Sequence, residues 1–190
     1  HGVLLICDEV QTGLGRTGHW LGSAHDGVTP DGVILGKALG GGLLPVSAFV
    51  ARNDVMQVFH PGDHGSTFGG NPLGAAVALA ALDVLADEKL CERARELGAW
   101  MLAELRALDS PLIADVRGRG LLIGIEVDPA LASARTVVER LLAHGVISKD
   151  THGTVVRIAP PLNIPRDVLQ QALRAIRDVF AELGTASLPA

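Results

Sequence analysis

The first half of the chain carries short apolar runs, each followed by a glycine-rich loop. Val3–Cys7 is an unbroken apolar run that ends in Asp8-Glu9. Runs of this kind, without polar alternation, are typical of parallel strands that are buried on both faces. The same pattern predicts two further strands, at Val33–Leu35 and Val46–Ala51.

A polar, glycine-rich loop, His60–Asn71, separates these strands from the first long helix. Pro72 follows the loop and favours the first position of a helix, so the sequence predicts a helix over 73–86. Its residues are almost all apolar, and we therefore expect it to be buried. Ser66 and Thr67 lie shortly before its N-terminus, where hydroxyl and free N–H groups suit a phosphate, although ordinary helix capping is the more common use of such residues.

The pattern changes near Asp87, where charged residues begin to alternate with apolar ones at helical spacing. Residues 88–108 place charges on one face and leucine and methionine on the other, which predicts an amphipathic surface helix. The remaining pattern predicts strands over 113–116, 121–127, 146–148 and 155–158 and helices over 134–144 and 166–183. We therefore interpret residues 1–86 as part of a mostly parallel α/β sheet domain and residues 87–190 as a small α+β domain.

Composition excludes several classes of protein. The 190 residues are 48% apolar with a formal net charge of −5, which excludes a disordered chain. Acidic residues outnumber basic ones 21 to 16, so we expect no nucleic-acid binding through a basic surface. The longest apolar stretches contain about ten residues, half of what a membrane span needs, and we expect no membrane association.

Cysteine use and the first residues bear on the compartment and on the length of the protein. Cys7 and Cys91 form no CxxC pair, which indicates free thiols in a reducing compartment. No signal peptide opens the chain, so we expect a cytoplasmic protein. Because the chain begins with His1 rather than Met and enters an apolar run at once, we also expect it to be the later part of a longer polypeptide.

Two phosphate-loop patterns and one metal pattern are present only in part. Residues 13–18 match GxGxxG, but they begin five residues after Asp8-Glu9, whose carboxylates would face a pyrophosphate. Gly36-Lys37-Ala38 lacks the upstream glycine and the hydroxyl of an ATP-binding loop, so ATP binding would require such a loop upstream of this chain. His60 and His64 have no clear third ligand, and we expect no metal site.

Lys37 is the most unusual residue of the chain. It is the sole charge between Asp31 and Arg52 and lies among apolar residues and glycines. Most lysines are solvated surface residues, but a lysine at a strand end in an apolar pocket can act as an amine nucleophile. Asp8 ends a neighbouring strand, and open α/β sheets bind ligands at that carboxyl edge. An amine and a buried carboxylate are the minimum that a pyridoxal phosphate site needs.

Arg157 lies within an apolar strand pattern, Val155–Ile158. An arginine at such a position either extends along the edge of a sheet or faces a pocket, where its planar guanidinium can bind a carboxylate through two hydrogen bonds. The residues alone leave both interpretations open.

Five segments together resemble the class III, fold type I aminotransferases, and within them the ornithine aminotransferase subgroup. They keep the family's order and extend over nearly the whole chain: CDEVQTGLGRTG (7–18), PDGVILGKALGGGLLPVSA (30–48), PGDHGSTFGGNPLGAA (61–76), VRGRGLLIGIE (116–126) and THGTVVRIAPPL (151–162). The resemblance implies the C-terminal part of a fold type I transferase that depends on pyridoxal 5′-phosphate. Residues 1–86 would then complete its large cofactor-binding domain, and residues 87–190 would form its small domain.

The resemblance also implies a role for each matching residue. Lys37 would form the imine with the cofactor, and Asp8 would pair with the pyridinium nitrogen. Gln11 would hydrogen-bond near the ring hydroxyl. The segment Ser66-Thr67 would bind the phosphate of the neighbouring subunit's cofactor, which implies a homodimer. Arg157 would bind the substrate carboxylate, whereas Arg16 would be structural.

The implied reaction moves the δ-amino group of L-ornithine to 2-oxoglutarate. It gives glutamate and glutamate semialdehyde, which cyclises to pyrroline-5-carboxylate, a step of proline biosynthesis and arginine degradation. The chain lacks the family's upstream phosphate-binding turn, stacking aromatic, second substrate arginine and switching glutamate, so an N-terminal half is implied as a partner. Two alternatives stay open: an inert fragment or pseudo-enzyme that acts only by association, and another class III ω-aminotransferase of the acetylornithine or 4-aminobutyrate type.

Overall fold

The computed structural model describes residues 1–186, which divide into two compact units. The first unit is His1–Glu92, and the second takes the described chain from Arg93 onward. No helix among the described residues is long and apolar enough to cross a membrane.

The first unit contains a three-stranded sheet in the order β1-β2-β3. Strand β2 pairs in parallel with β1 and antiparallel with β3. The elements of this unit are β1 (Ile6–Asp8), a 3-10 helix (Gly22–Asp26), β2 (Gly32–Leu35), a second 3-10 helix (Lys37–Gly40), β3 (Ala48–Ala51), α1 (Asn53–Met56) and α2 (Pro72–Asp87). The three strands predicted from apolar runs are confirmed, although β1 and β3 begin later than those runs do.

Asp31, just before β2, contacts residues next to β1 and β3 at the edge of the sheet opposite Asp8. Its N–H donates to the Leu5 carbonyl at 2.9 Å, and its Oδ2 accepts the Leu5 N–H at 2.8 Å. The Arg52 guanidinium, which follows β3, forms an ion pair with the same carboxylate. Gly32 comes next because a Cβ there would lie 2.8 Å from Ile6 Cδ1 and 2.9 Å from Phe49 Cε2.

The prediction that the apolar helix α2 is buried is wrong for the described residues. The helix lies against the second 3-10 helix, but only Gly74 and Leu85 are buried along its length. Leu73 is 65% exposed and Leu79 is 63% exposed, because the elements of the unit cover only one side of α2. Most apolar side chains of this helix are therefore not covered by the described residues.

The second unit has a four-stranded antiparallel sheet in the order β4-β5-β7-β6. The elements from the unit boundary onward are α3 (Leu90–Arg106), β4 (Ile113–Arg119), β5 (Leu122–Val127), α4 (Ala134–Ala143), β6 (Lys149–Thr151), β7 (Val155–Ile158) and α5 (Arg166–Ala186). The strand predicted at 146–148 is wrong. The Val146 N–H donates to the Leu141 carbonyl at 2.8 Å, which closes the end of α4, so the strand begins only at Lys149.

A continuous apolar core fills one side of this sheet. The side chains that face it alternate along β5 and β7, as expected for a sheet with one covered face. The core contains Met101 and Leu105 from α3 and Ile176 and Phe180 from α5, all at most 1% exposed, together with Ile123, Ile125, Val127, Val156 and Ile158 from the strands. The intervening residues of β7, among them Arg157, point to the opposite face of the sheet.

Candidate active site

Three polar residues that the sequence singles out, Asp8, Gln11 and Lys37, lie at or just beyond the carboxyl ends of β1 and β2. Asp8 is the last residue of β1 and pairs in register with Ile34 of β2. Its Oδ1 accepts the Val10 N–H at 3.0 Å, which starts the turn that carries Gln11. The Asp8 side chain is exposed and lies at the sheet edge where open α/β sheets bind ligands.

Lys37 lies directly beyond β2, and its Nζ donates to Gln11 Oε1 at 3.3 Å. Its backbone is left-handed, with φ of 45°, a conformation that costs a residue with a Cβ roughly 1–2 kcal/mol. Gly36 precedes it because a Cβ there would lie 3.3 Å from Val10 Cγ1. The Lys37 side chain is exposed rather than enclosed by the apolar residues around it in the sequence. The fold thus places a strained lysine beside the amide of Gln11.

The glycine loop 13–18 closes on itself and leaves few free amides. The Gly13 N–H donates to the Glu9 carbonyl at 3.0 Å, and the Leu14 N–H donates to the Trp20 carbonyl at 2.7 Å. The Gly15 N–H donates to His19, and the Gly18 N–H donates to Gly15. Since a dinucleotide site needs such amides for a pyrophosphate, this loop does not match the GxGxxG function. Arg16 lies in the same loop, and burial lowers its pKa.

The loop before α2 presents Ser66 and Thr67 at the surface. Both side chains are exposed, and Ser66 Oγ accepts the Gly69 N–H at 3.0 Å. Neither residue caps α2, because that position belongs to Asn71, whose Oδ1 accepts the Gly74 N–H at 2.7 Å. The Thr67 hydroxyl makes no hydrogen bond within residues 1–186 and is available to a ligand from outside the chain.

Arg157 lies on the open face of the second unit's sheet. In register it stands between Gly124 of β5 and Lys149 of β6, and it lines a depression of about 240 Å³. Across Gly124 in the same row lies Arg117, whose guanidinium is paired with Asp115 at 2.8 Å and Glu126 at 2.5 Å. Among the described residues no carboxylate pairs with Arg157. Its guanidinium N–H groups are therefore available to donate to the carboxylate of a ligand.

Glu9 is a buried residue at the same sheet edge as Asp8, for which the sequence predicts no role. It is one of two buried polar residues found among the described residues, the other being Thr17. Its carboxylate accepts backbone N–H groups from Gly22 and Ser23. Gly22 and Ser23 lie 13 and 14 positions after Glu9, so no local sequence pattern predicts these hydrogen bonds. No group of three metal-ligating side chains occurs in the described chain.

The chemistry of the first unit's site follows from these groups. An amine in contact with an amide oxygen and a carboxylate lie at the same sheet edge, which suits an aromatic aldehyde that carries a basic ring nitrogen. The amine can condense with the aldehyde, and the carboxylate can hold a proton on the ring nitrogen. The donor set contains no thiolate or imidazole and does not suit a transition metal.

The family of the chain follows from comparison with known sequences. The model of the family described as aminotransferase class-III matches residues 1–180. The chain belongs to the class-III aminotransferases. The sequence-based prediction of a fold type I α/β architecture is confirmed by the solved structures that resemble it. The ornithine aminotransferase of Toxoplasma gondii ME49 superimposes with a TM-score of 0.94 at 48% identity, over 97% of this chain and 44% of that one.

The relatives include ornithine and acetylornithine aminotransferases, and each is about twice as long as this chain. Ornithine aminotransferase 1 of Staphylococcus aureus (strain MRSA252) is 54% identical over 95% of this chain, which spans 45% of that protein. An acetylornithine aminotransferase structure from Elizabethkingia anophelis has a TM-score of 0.90 at 48% identity, over 96% of this chain and 46% of that one. The chain thus spans about half the length of the relatives that it matches.

Proposed function

We propose that this chain forms the C-terminal half of a pyridoxal-phosphate-dependent ornithine δ-aminotransferase. The observation that carries the proposal is the contact of Lys37 Nζ with Gln11 Oε1, at the sheet edge that also holds Asp8. The ornithine aminotransferases at 54% identity support the subgroup. The reaction would transfer the δ-amino group of L-ornithine to 2-oxoglutarate and release glutamate and glutamate semialdehyde.

The residues of the first unit fit the cofactor in chemical type. Pyridoxal 5′-phosphate supplies an aldehyde and a ring that accepts electrons once its nitrogen is protonated. Lys37 would hold the aldehyde carbon and carry a proton to and from the substrate carbon. Asp8 would keep the ring nitrogen protonated, and Gln11 would orient the ring through its hydroxyl.

Arg157 would bind the substrate carboxylate. Its guanidinium has no acidic partner among the described residues, whereas the neighbouring Arg117 is engaged by two carboxylates. A planar, unpaired guanidinium on an open sheet face suits the two oxygens of a carboxylate. Arg157 would therefore offer a substrate carboxylate two N–H donors without the displacement of an internal ion pair.

The assembly would contain a second copy and an N-terminal half. Ser66 and Thr67 are exposed, and the hydrogen bond that their hydroxyls make among the described residues is the one from the Gly69 N–H to Ser66 Oγ. The free Thr67 hydroxyl supports a role in binding the phosphate of the neighbouring subunit's cofactor. The exposed apolar residues of α2 and of the segment before β1 support burial against further polypeptide. The relatives, about twice as long, would carry that polypeptide in the same chain.

Lys37 is tested by fixing the cofactor to the enzyme with borohydride. The chain is co-expressed with the N-terminal half of the Staphylococcus carnosus ornithine aminotransferase, a relative 54% identical to it; we refer to this as the assembled enzyme. Peptide mapping should place the reduced cofactor on Lys37, and Lys37→Ala should abolish the label. Lys89→Ala and Lys149→Ala are the matched controls and should keep it. A label on Lys89 or Lys149 would contradict the assignment.

A second candidate substrate is N-acetylornithine, favoured by the Elizabethkingia anophelis structure at 48% identity. The assembled enzyme is given ornithine and N-acetylornithine separately, each with 2-oxoglutarate. Pyrroline-5-carboxylate should form from ornithine at the higher kcat/KM. A preference for N-acetylornithine would move the proposal to that subgroup, and no transfer from either substrate by a cofactor-loaded assembly would favour a pseudo-enzyme.

A further inference from the structure

Glu9 is a buried carboxylate to which the proposed reaction assigns no role. Its side chain lies next in the chain to Asp8 but is only 3% exposed. One oxygen, Oε1, accepts the Ser23 N–H at 2.8 Å. The other, Oε2, accepts the Gly22 N–H at 2.9 Å and the Thr12 hydroxyl. Each oxygen is therefore committed to a donor of the loop 10–23.

The backbone of Glu9 is held as firmly as its side chain. Its N–H donates to the Ile34 carbonyl of β2 at 2.9 Å, and its carbonyl accepts the Gly13 N–H at 3.0 Å. Ile34 lies three residues before Lys37. Glu9 thus connects the strand that leads to Lys37 with both the beginning and the end of the loop that carries Gln11.

Two glycines let the loop pack against this carboxylate. A Cβ at Gly13 would lie 2.8 Å from the Glu9 carbonyl oxygen and 3.1 Å from its Cβ. A Cβ at Gly22 would lie 3.0 Å from Glu9 Oε2 and 3.0 Å from the Cβ of Thr12. The loop has no room to shift toward Glu9, so any rearrangement of the carboxylate moves the loop as well.

The charge of Glu9 is part of this arrangement. Burial raises the pKa of the carboxyl group, but the hydrogen bonds from Thr12 and from the Ser23 and Gly22 N–H groups outweigh burial and hold the pKa below its ordinary value. Glu9 is therefore ionised at neutral pH and accepts at both oxygens. An amide of the same size has one acceptor oxygen and an NH₂ group that can only donate, and this NH₂ group would face a backbone N–H.

We propose that Glu9 is a positioning residue for the cofactor site, which holds the loop 10–23 against β2 and so keeps Gln11 opposite Lys37. The proposal rests on the proposed function, because Gln11 and Lys37 are assigned to the cofactor there. Glu9 touches neither the cofactor nor the substrate in this role. It acts through the loop, and the measurement must separate that action from general stability.

The test compares Glu9→Gln with Glu88→Gln, an exposed glutamate of the same unit, in the assembled enzyme. Amide hydrogen exchange is measured at Gly22 and Ser23. The Arg52 amide, which donates to the Asp31 carbonyl at 3.1 Å at the other end of the sheet, is the internal reference. The dissociation constant for pyridoxal 5′-phosphate is measured by titration of its absorbance.

Glu9→Gln should speed exchange at Gly22 and Ser23 and weaken cofactor binding, each by about tenfold to a hundredfold, the usual effect of losing a hydrogen bond to a charged group. Exchange at Arg52 should stay at the wild-type rate, and Glu88→Gln should change neither quantity. Faster exchange at Gly22 and Ser23 with an unchanged dissociation constant would overturn the proposal, because the loop would then not position the site. Wild-type values of both quantities would also overturn it.

If Glu9→Gln also speeds exchange at the Arg52 amide, the variant has destabilised the whole unit, and Thr12→Val then provides the test. This variant keeps the branched shape and removes only the hydroxyl that donates to Glu9. It should weaken cofactor binding about threefold to tenfold with Arg52 protected, and an unchanged dissociation constant would overturn the proposal. Failure of the proposed function is distinct, because it would appear as the absence of a Lys37 label in the wild-type assembly.

Discussion

Gly98, in the middle of α3, is a position where the usual effect of a substitution should be reversed. In a helix interior, glycine to alanine normally stabilises a protein by roughly 1 kcal/mol. A Cβ at Gly98, however, would lie 2.6 Å from Gly120 Cα and closer still to the carbonyl group of Gly120. Gly120 has φ of 55° and forms the turn between β4 and β5. The turn backbone would have to move, and with it the strands that line the core.

The magnitude follows from two opposing effects. Overpacking a tight contact costs typically 1–3 kcal/mol, and a clash with backbone belongs at the upper end of that range. After the roughly 1 kcal/mol gained by the helix, we expect Gly98→Ala to lower the free energy of unfolding by about 2 kcal/mol. For a unit of this size such a loss lowers Tm by about 8–16 °C.

Gly184 in α5 is the matched control for this experiment. A Cβ there would meet only Pro111 Cδ and Ser110 Oγ, both at 3.9 Å, which is ordinary van der Waals contact. Gly184→Ala should therefore stabilise the unit by about 0.5–1 kcal/mol. The two variants change the same atoms in the same kind of element and should have effects of opposite sign.

Urea unfolding followed by Trp100 fluorescence measures both effects. Trp100 lies in α3 with the Arg166 guanidinium 4.7 Å from its ring centroid, so its emission reports on the second unit. Trp20→Phe is introduced throughout to remove the other tryptophan. If Gly98→Ala were as stable as Gly184→Ala, the close approach of α3 to the β4–β5 turn would be wrong.

Three further predictions concern the site and the apolar surface. In the assembled enzyme, Arg157→Ala should slow the 2-oxoglutarate half-reaction by at least about a hundredfold in stopped-flow measurements, since the proposed bidentate pair with the substrate carboxylate is lost. Equal losses in the ornithine half-reaction would contradict that role. Because the folded state lowers the pKa of Glu9, Glu9 stabilises the fold above its unfolded pKa of about 4.3 and loses that contribution as the pH falls through the folded value. Acid titration of stability should therefore be shallower in Glu9→Gln, and an identical slope would refute the assignment. The 190-residue chain alone should self-associate through the exposed residues before and in β1, of which Leu4 is 50% and Ile6 41% exposed; Leu4→Lys should reduce that association in analytical ultracentrifugation, and a monodisperse wild-type monomer would count against it.

The sequence predicts the burial of apolar residues better in the second unit than in the first. The apolar face predicted for α3 is buried, because the second unit covers it with its own core, which includes Met101 and Leu105. For α2 the same reasoning fails, since an apolar composition shows that a helix is to be buried but not which polypeptide buries it. The strand after α4 is misplaced for a local reason, the hydrogen bond from Val146 to Leu141.

The candidate site shows a similar division. The proximity of Asp8 and Lys37 to one sheet edge follows from two apolar runs that end near each residue, because parallel strands share a carboxyl edge. No pattern in the sequence reveals the left-handed backbone of Lys37 or the capping of α2 by Asn71. Glu9 is missed because its partners lie 13 and 14 positions away, in a loop whose conformation the carboxylate itself determines.

The two units also differ in how fully they bury their apolar residues, and this bears on where the chemistry lies. Among the residues that the structure describes, the second unit has a core of twenty buried residues, many of them with no exposed surface. In the first unit, Leu14, Leu39 and Leu85 are buried to 4–6% exposure, and the apolar residues before β1 and along α2 are largely uncovered. Lys37 and Asp8 belong to this first unit, so they lie where little buried apolar surface supports their positions. Under those conditions local polar contacts decide the geometry of the site. The buried Glu9, next to Asp8 in the chain, accepts three of them, from Thr12, Gly22 and Ser23. Covering the apolar surface would add packing around that geometry, but the loop that sets it is already fixed by this one carboxylate.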